Sequence, residues 1–154
     1  MTRFDRLVGL SLLQLHQRAY ELTGGRWGHG IGLRRTLLLR TTGRRSGRLR
    51  TAALLYHRDG DRLVVIASKG GSDTPPGWLL NLQAHPDVEV QVGTHRFPAR
   101  ARVATAAEQR RLWPVMTALW PGYERYQAQT TRRILLVILE PVRGESRRER
   151  GIAG

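Results

Sequence analysis

The chain has no cysteine. That absence excludes disulfides, cysteine-bound zinc, iron–sulfur clusters and a thiol nucleophile, and it removes any pointer to an oxidising compartment. Lysine is nearly absent too: Lys69 is the single one, and every other cationic side chain is arginine. Acidic residues are scarce, with 12 Asp plus Glu against 26 Lys plus Arg, so the formal net charge is +14. No apolar run approaches the ~18–20 residues of a membrane span. The N-terminal stretch lacks an uninterrupted apolar core followed by a small-residue cleavage site, which speaks against a secretory leader and for a cytoplasmic protein. The five histidines, at 16, 29, 57, 85 and 95, have no metal-ligand spacing, so no metal site is expected. No Ser/His/Asp order and no carboxylate pair on one predicted face suggests a hydrolase.

What remains is ordinary for a folded domain. The 154 residues are 40% hydrophobic and 25% charged, enough for one domain with its own core. An excess of +14 attracts polyanions: nucleic acid, anionic lipid, or a small molecule bearing phosphate or several carboxylates. Composition does not choose among them.

The periodicity divides the chain into an N-terminal helix, a β-rich body and a tail. Within residues 1–23, Phe4, Leu7, Val8, Leu12, Leu15, Ala19 and Leu22 recur at helical spacing over 3–22. This amphipathic helix packs on its own domain or lies at a membrane surface. A Gly-rich connection follows. Within the body, 24–142, short β-favouring runs cover Thr36–Thr42, Leu49–His57, Leu63–Ser68, Val88–Val92, Phe97–Val103 and Ile134–Glu140. Helices are expected over Trp78–Ala84, from a capping box at Thr105 and Glu108 to about Trp120 with a kink or break at Pro114, and over Tyr123–Thr131. The tail, 143–154, has the composition of a disordered basic segment. About six strands joined by short turns predict a mainly β (α+β) fold, an antiparallel sheet curled into a small barrel with peripheral helices.

The strongest local feature is the turn TTGRRSGRLR, Thr41–Arg50. Its glycines let backbone N–H groups approach an anion, and its guanidinium forks match phosphate and carboxylate. It is not a Walker loop, because the Lys-Ser/Thr ending is missing. A second polar loop, Ser68-Lys69-Gly70-Gly71, leaves the central strand. A third element, Gly77-Trp78-Leu79-Leu80-Asn81, offers an indole and an amide at a helix start.

TTGRRSGRLR, LYHRDGDRLVVIASKGG, PGWLLNLQAHPDVEVQVG, LWPVMTALWPGYERYQAQT and VILEPV follow one another in this order. Together, over about 20–143, they resemble the deazaflavin-dependent nitroreductase and quinone reductase family. The resemblance implies a six-stranded split β-barrel like that of flavin-binding oxidoreductases. It implies coenzyme F420, an 8-hydroxy-5-deazaflavin with a phosphodiester and an oligoglutamate tail, as hydride carrier to a quinone-like or nitro-aromatic acceptor. By similarity, Arg44, Arg45, Ser46 and Arg50 would hold the phosphate and tail. Thr51, Ala52, Ala53, Leu54, Leu55 and Tyr56 would run along the deazaflavin and its ribityl chain. Ile66, Ala67, Ser68 and Lys69 would form the far wall, and Gly77, Trp78, Leu79, Leu80 and Asn81 would close the site. Tyr123 and Tyr126 would border the acceptor over the deazaflavin ring, Tyr123 touching the cofactor as well, where a phenol donates a hydrogen bond as hydride arrives, with Ser68 the third catalytic candidate.

The sequence departs from the family pattern at Ala52-Ala53, where proline is common, and near Thr131 and Leu135. These departures bear on the pocket floor and so on acceptor identity. Two other classes of function compete. One is a small barrel that binds nucleic acid, although no recognised motif for it is present and specific nucleic-acid recognition is not expected. The other is a non-catalytic carrier of the deazaflavin or of lipid. Split-barrel oxidoreductases are often dimers, so a homodimer is a further expectation.

Overall fold

The computed structural model describes residues 35–143. The expected helix over 3–22 and the tail from 144 onward lie outside them. Seven strands and three helices follow one another: β1 (Thr36–Thr42), β2 (Leu49–Leu55), β3 (His57–Asp59), β4 (Arg62–Ile66), α1 (Gly77–Ala84), β5 (Asp87–Val92), β6 (His95–Val103), α2 (Ala106–Leu119), α3 (Gly122–Ala128) and β7 (Leu136–Pro141). A 3₁₀ turn, Lys69–Gly71, lies between β4 and α1.

All strands pair antiparallel in the order β2-β1-β5-β6-β7-β4-β3. β2 and β3 thus occupy opposite edges, yet only Tyr56 separates them. In a flat sheet those edges would stand roughly 30 Å apart, far beyond the reach of a one-residue link. The sheet must therefore curl until its edges meet. The strand count corrects the sequence expectation of six. Leu49–His57 reads as one strand, but it breaks at Tyr56, which is 7% exposed with its ring in the interior. The Tyr56 N–H donates to the carbonyl of Arg35 at 2.9 Å. Before the break the chain pairs with β1, and after it His57 pairs opposite Val64 on β4.

Curling creates two cores. The inner one gathers Leu37, Leu39, Leu63, Val65, Val88, Val90, Val137 and Leu139 from inward-facing positions, with Leu79 and Leu82 of α1. The outer one holds Val64, Ile66, Leu136 and Ile138 against Leu112, Met116 and Tyr123 of the other two helices. β4 and β7 are therefore buried on both faces, which is why they read as unbroken apolar runs while β5 alternates.

α2 starts at the predicted capping box, with the Glu108 N–H donating to Thr105 Oγ1 and the Thr105 N–H to Glu108 Oε1. It runs through Pro114 without a break. The proline lies on the exposed side of the helix, so the carbonyl it deprives of a partner meets water. Gln109 docks this helix onto the sheet. Its amide donates to the Ile134 carbonyl and accepts from the Leu136 N–H, both at 2.9 Å. That bridge explains why β7 begins at Leu136 rather than at Ile134.

Candidate active site

The arginine turn is compact by construction. The Gly43 N–H donates to the Arg48 carbonyl at 2.8 Å, and the Gly47 N–H donates back to the Gly43 carbonyl at 2.8 Å. Gly47 has φ +69, and a Cβ at Gly43 would stand 2.7 Å from Ser46 Oγ and 3.1 Å from the Arg48 carbonyl. Both positions need glycine, the first for conformation and the second for space.

α1 sits beneath the turn and fixes it through Asn81, which is 5% exposed. The Asn81 Oδ1 accepts from the Arg44 N–H at 3.1 Å and from Arg44 Nη1 at 3.2 Å. Its Nδ2 donates to the buried Thr41 Oγ1 at 3.2 Å. The helix begins after Pro75-Pro76, where missing N–H groups cost nothing, and Trp78 packs against the inner core.

A cavity of about 380 Å³ opens between the turn and this helix start. Arg44, Arg45 and Arg50 line it with Ser46, Thr51 and Ala52 on one side; Gly77, Trp78 and Asn81 close the other. Among the described residues no carboxylate lines it. The ion pairs among the described residues use other arginines, so Arg45 and Arg50 keep exposed guanidinium groups without an acidic partner. Arginines concentrated around a hollow without counter-charge form a receptor for an anion with several negative groups.

The remaining sequence-derived residues lie elsewhere. Tyr56, Ala67 and Leu79 are 7%, 0% and 3% exposed and belong with Leu54 to the inner core. Ile66 and Leu55 belong to the outer core. Ala53 and Leu80 are half-buried. Ser68 and Lys69 stand outside the arginine cavity, on the loop that leaves β4. Lys69 adopts φ +44, an uncommon conformation for a side-chain-bearing residue. Its ammonium donates to Thr74 Oγ1 at 3.1 Å.

This loop abuts α3. A Cβ on Gly71 would stand 2.9 Å from the Cα and carbonyl oxygen of Tyr126 and 2.8 Å from Gln129 Oε1. Tyr123 and Tyr126 meet edge to face with ring centroids 6.3 Å apart. Tyr123 is 5% exposed; burial, assisted by Tyr126, pushes its phenol up to about 12. The only buried side-chain polar atom without a partner is His57 Nδ1 among the described residues. Among the described residues the Tyr123 hydroxyl has no hydrogen-bond partner. It remains a neutral donor at ordinary pH.

Sequence reasoning missed Arg132. Its Nε donates to the Ser72 carbonyl at 2.7 Å, Nη1 to the Ala67 carbonyl at 3.1 Å and Nη2 to the Ser68 carbonyl at 2.8 Å. In the sequence it is one of two adjacent arginines after Thr131, with nothing to mark it.

The described residues thus form a curled antiparallel sheet with an arginine-lined hollow at a helix start, a donor set suited to an anionic ligand. Residues 12–141 match the model of the F420H(2)-dependent quinone reductase family. An F420H(2)-dependent quinone reductase of Mycobacterium tuberculosis is 43% identical over 139 residues, covering 88% of this chain and 93% of that protein. The solved structure of the F420-H2 dependent reductase FDR-A is 34% identical, with TM-score 0.64, over 70% of this chain and 95% of that one. A chain solved as a domain-swapped dimer is 29% identical, with TM-score 0.66, over 86% of this chain and 99% of that one. The chain belongs to the F420H(2)-dependent quinone reductase family: it is an oxidoreductase, and its cofactor is coenzyme F420.

The donor set fits that cofactor. Its tail carries a phosphodiester and carboxylates, and Arg44, Arg45 and Arg50 line a cavity that holds no acid. Among the described residues, no helix is long and apolar enough to cross a membrane.

Proposed function

We propose that Arg44, Arg45, Ser46 and Arg50 hold the phosphate and tail of coenzyme F420, with Gly77, Trp78 and Asn81 closing that end. The ring system lies against Thr51–Tyr56 on one side and Ile66–Lys69 on the other, in the split-barrel manner. Bound in reduced form, the cofactor supplies a hydride, and the chain orients it and its acceptor. The acceptor is a quinone-like or nitro-aromatic molecule whose oxygen receives a hydrogen bond from Tyr123 or Tyr126, with Ser68 beside them. Residues 3–22 either pack on their own domain or lie at a membrane surface, and a homodimer is compatible with the fold.

The observation that carries the tail assignment is the cavity with Arg45 and Arg50 exposed on its lining and no carboxylate among the lining residues. Fluorescence titration with coenzyme F420 tests it, followed by turnover of the reduced cofactor with a soluble quinone. Saturable binding with turnover supports the reading. Binding without turnover with any quinone or nitro-aromatic reduces the protein to a carrier, and no binding overturns the site. Liposome flotation of the full chain and of a variant lacking 1–23 tests the membrane role.

A further inference from the structure

Arg132 stands at the seam between two halves of the proposed site. On one side is the loop carrying Ser68 and Lys69; on the other is the helix carrying Tyr123 and Tyr126. One guanidinium reaches three carbonyls of that loop, those of Ala67, Ser68 and Ser72, at 3.1, 2.8 and 2.7 Å. Arginine's planar fork makes this possible, since a lysine ammonium cannot span three acceptors in fixed directions. The carbonyls it holds flank the residues with left-handed backbone: Lys69 at φ +44, Gly70 at +61 and Gly71 at +81. A non-glycine residue in that region persists only where its surroundings over-determine it. Here the surroundings are two turn bonds, Gly71 N–H to the Ser68 carbonyl at 2.9 Å and Ser72 N–H to the Lys69 carbonyl at 3.2 Å, together with Arg132.

Arg132 is itself anchored to the tyrosine helix. The Gln127 amide donates to the Arg132 carbonyl at 2.8 Å and accepts from the Ile134 N–H at 2.9 Å. Gly71 completes the joint by lying against the Tyr126 backbone, with no room for a Cβ.

We infer that Arg132 is a positioning residue for hydride transfer: it locks the Ser68–Ser72 loop to α3, fixing the distance between the cofactor's far wall and the tyrosines that face the acceptor. The inference rests on the proposed placement of the ring beside Ser68 and Lys69. The arginine cavity is lined by other residues, so loss of the clamp separates turnover from tail binding.

The test compares Arg132→Gln and Arg132→Lys with wild type in three measurements. In the protein without cofactor, amide hydrogen exchange at Gly71 and Ser72 rises about tenfold or more in Arg132→Gln, as expected when charge-assisted bonds to the loop are lost. With reduced cofactor and a soluble quinone, kcat falls about 100-fold, the scale of a misplacement near 1 Å. The dissociation constant for coenzyme F420 stays within about threefold of wild type, because the tail receptor is intact. Arg132→Lys keeps the charge but not the fork, and it shows the same pattern in weaker form. Gly71→Ala, which forces loop and helix apart from the other side, reproduces the loss of kcat.

Unchanged exchange and kcat in Arg132→Gln overturn the inference. So does a parallel loss of affinity, kcat and thermal stability, which marks a merely structural residue. If wild-type protein fails to bind the cofactor, the proposed site fails instead, while the exchange data still report on the clamp.

Discussion

Asn81 holds Arg44 twice, once by its backbone N–H and once by its guanidinium, while its own amide donates to Thr41. A helix start and a hairpin turn that are 37 residues apart in sequence are thereby made one wall. The side chain is 5% exposed and Thr41 is fully buried, so the Thr41 hydroxyl has no water to fall back on. Asn81→Ala is expected to destabilise the protein by about 2 kcal/mol through the unpaired groups it leaves, read as a lower urea midpoint. Asn81→Asp separates positioning from charge. It keeps both acceptor contacts to Arg44 but loses the donor to Thr41, so it costs less stability than Asn81→Ala, and it adds a negative charge at the cavity wall. Affinity for coenzyme F420 is therefore expected to fall further in Asn81→Asp than in Asn81→Ala. The reverse order would show that Asn81 supports the fold without bordering an anion.

Arg45 and Arg50 line the cavity from exposed positions and have no acidic partner among the described residues. Replacing either by alanine leaves no carboxylate stranded and should shift stability by less than about 0.5 kcal/mol. Each should weaken cofactor binding by about fivefold at low ionic strength, equivalent to ~1 kcal/mol, and by less in high salt, where exposed charges are screened. Fluorescence titrations at two salt concentrations check this; equal losses at both would point to a shape effect in place of an electrostatic one.

Much of this arrangement was legible in the residues. The glycine-punctuated arginine turn, the alternation of Val88, Val90 and Val92, the unbroken apolar run of β4 and the Thr105–Glu108 box each name their local structure through rules that act over a few residues. The quoted motifs, read together, pointed to the cofactor. What escaped was tertiary. Leu49–His57 gives no local sign that Tyr56 will turn inward and split it, because the split is decided by which neighbours the two halves meet. Gln109 and Gln127 look like ordinary helix surface until their amides are seen to pair with the backbone at 134 and 136. Arg132 carries no signal that distinguishes it from Arg133, since only the fold brings the 67–72 carbonyls to it.

An ion network fastens α2 to the sheet, and it titrates in acid. Asp59 accepts two bonds from Arg111, at 3.0 and 2.9 Å, and one from Arg62 at 2.8 Å. Chiefly the Arg111 bonds, and also Arg62, lower its pKa to about 2 against the opposing effect of burial. Glu108 is held well below the usual carboxylate range, foremost by Arg102 and then by the Thr105 N–H. In the unfolded chain both carboxyls titrate near 4. A carboxyl with a depressed folded pKa contributes stability fully above that unfolded value and loses it as pH falls toward the folded one. The urea midpoint should therefore be flat near neutrality and fall between about pH 5 and pH 2. Asp59→Asn should lose about 1 kcal/mol at pH 7, a modest figure because Arg111 is largely exposed, and should show a shallower acid decline than wild type. Identical acid profiles would mean that the network contributes nothing measurable.

Tyr123 joins a buried ring to a hydroxyl with no hydrogen-bond partner among the described residues, and the two parts make separable predictions. The ring packs in the outer core, so Tyr123→Phe retains the packing and should keep stability at pH 7 within about 0.5 kcal/mol. If the hydroxyl donates to the acceptor oxygen, the same variant lowers kcat with a quinone roughly 10- to 100-fold. Cofactor affinity should stay unchanged, because the arginine cavity does not include this residue. The titration of the phenol gives an independent check. Burial pushes it up to about 12, whereas in the unfolded chain it ionises near 10. A raised folded value means stability that is complete below the unfolded pKa and is lost as pH climbs from about 10 toward 12. Wild type should therefore unfold more easily over that alkaline interval, and Tyr123→Phe should lack this component. A variant with normal kcat but an altered alkaline profile would confine Tyr123 to packing and leave the donor's part to Tyr126.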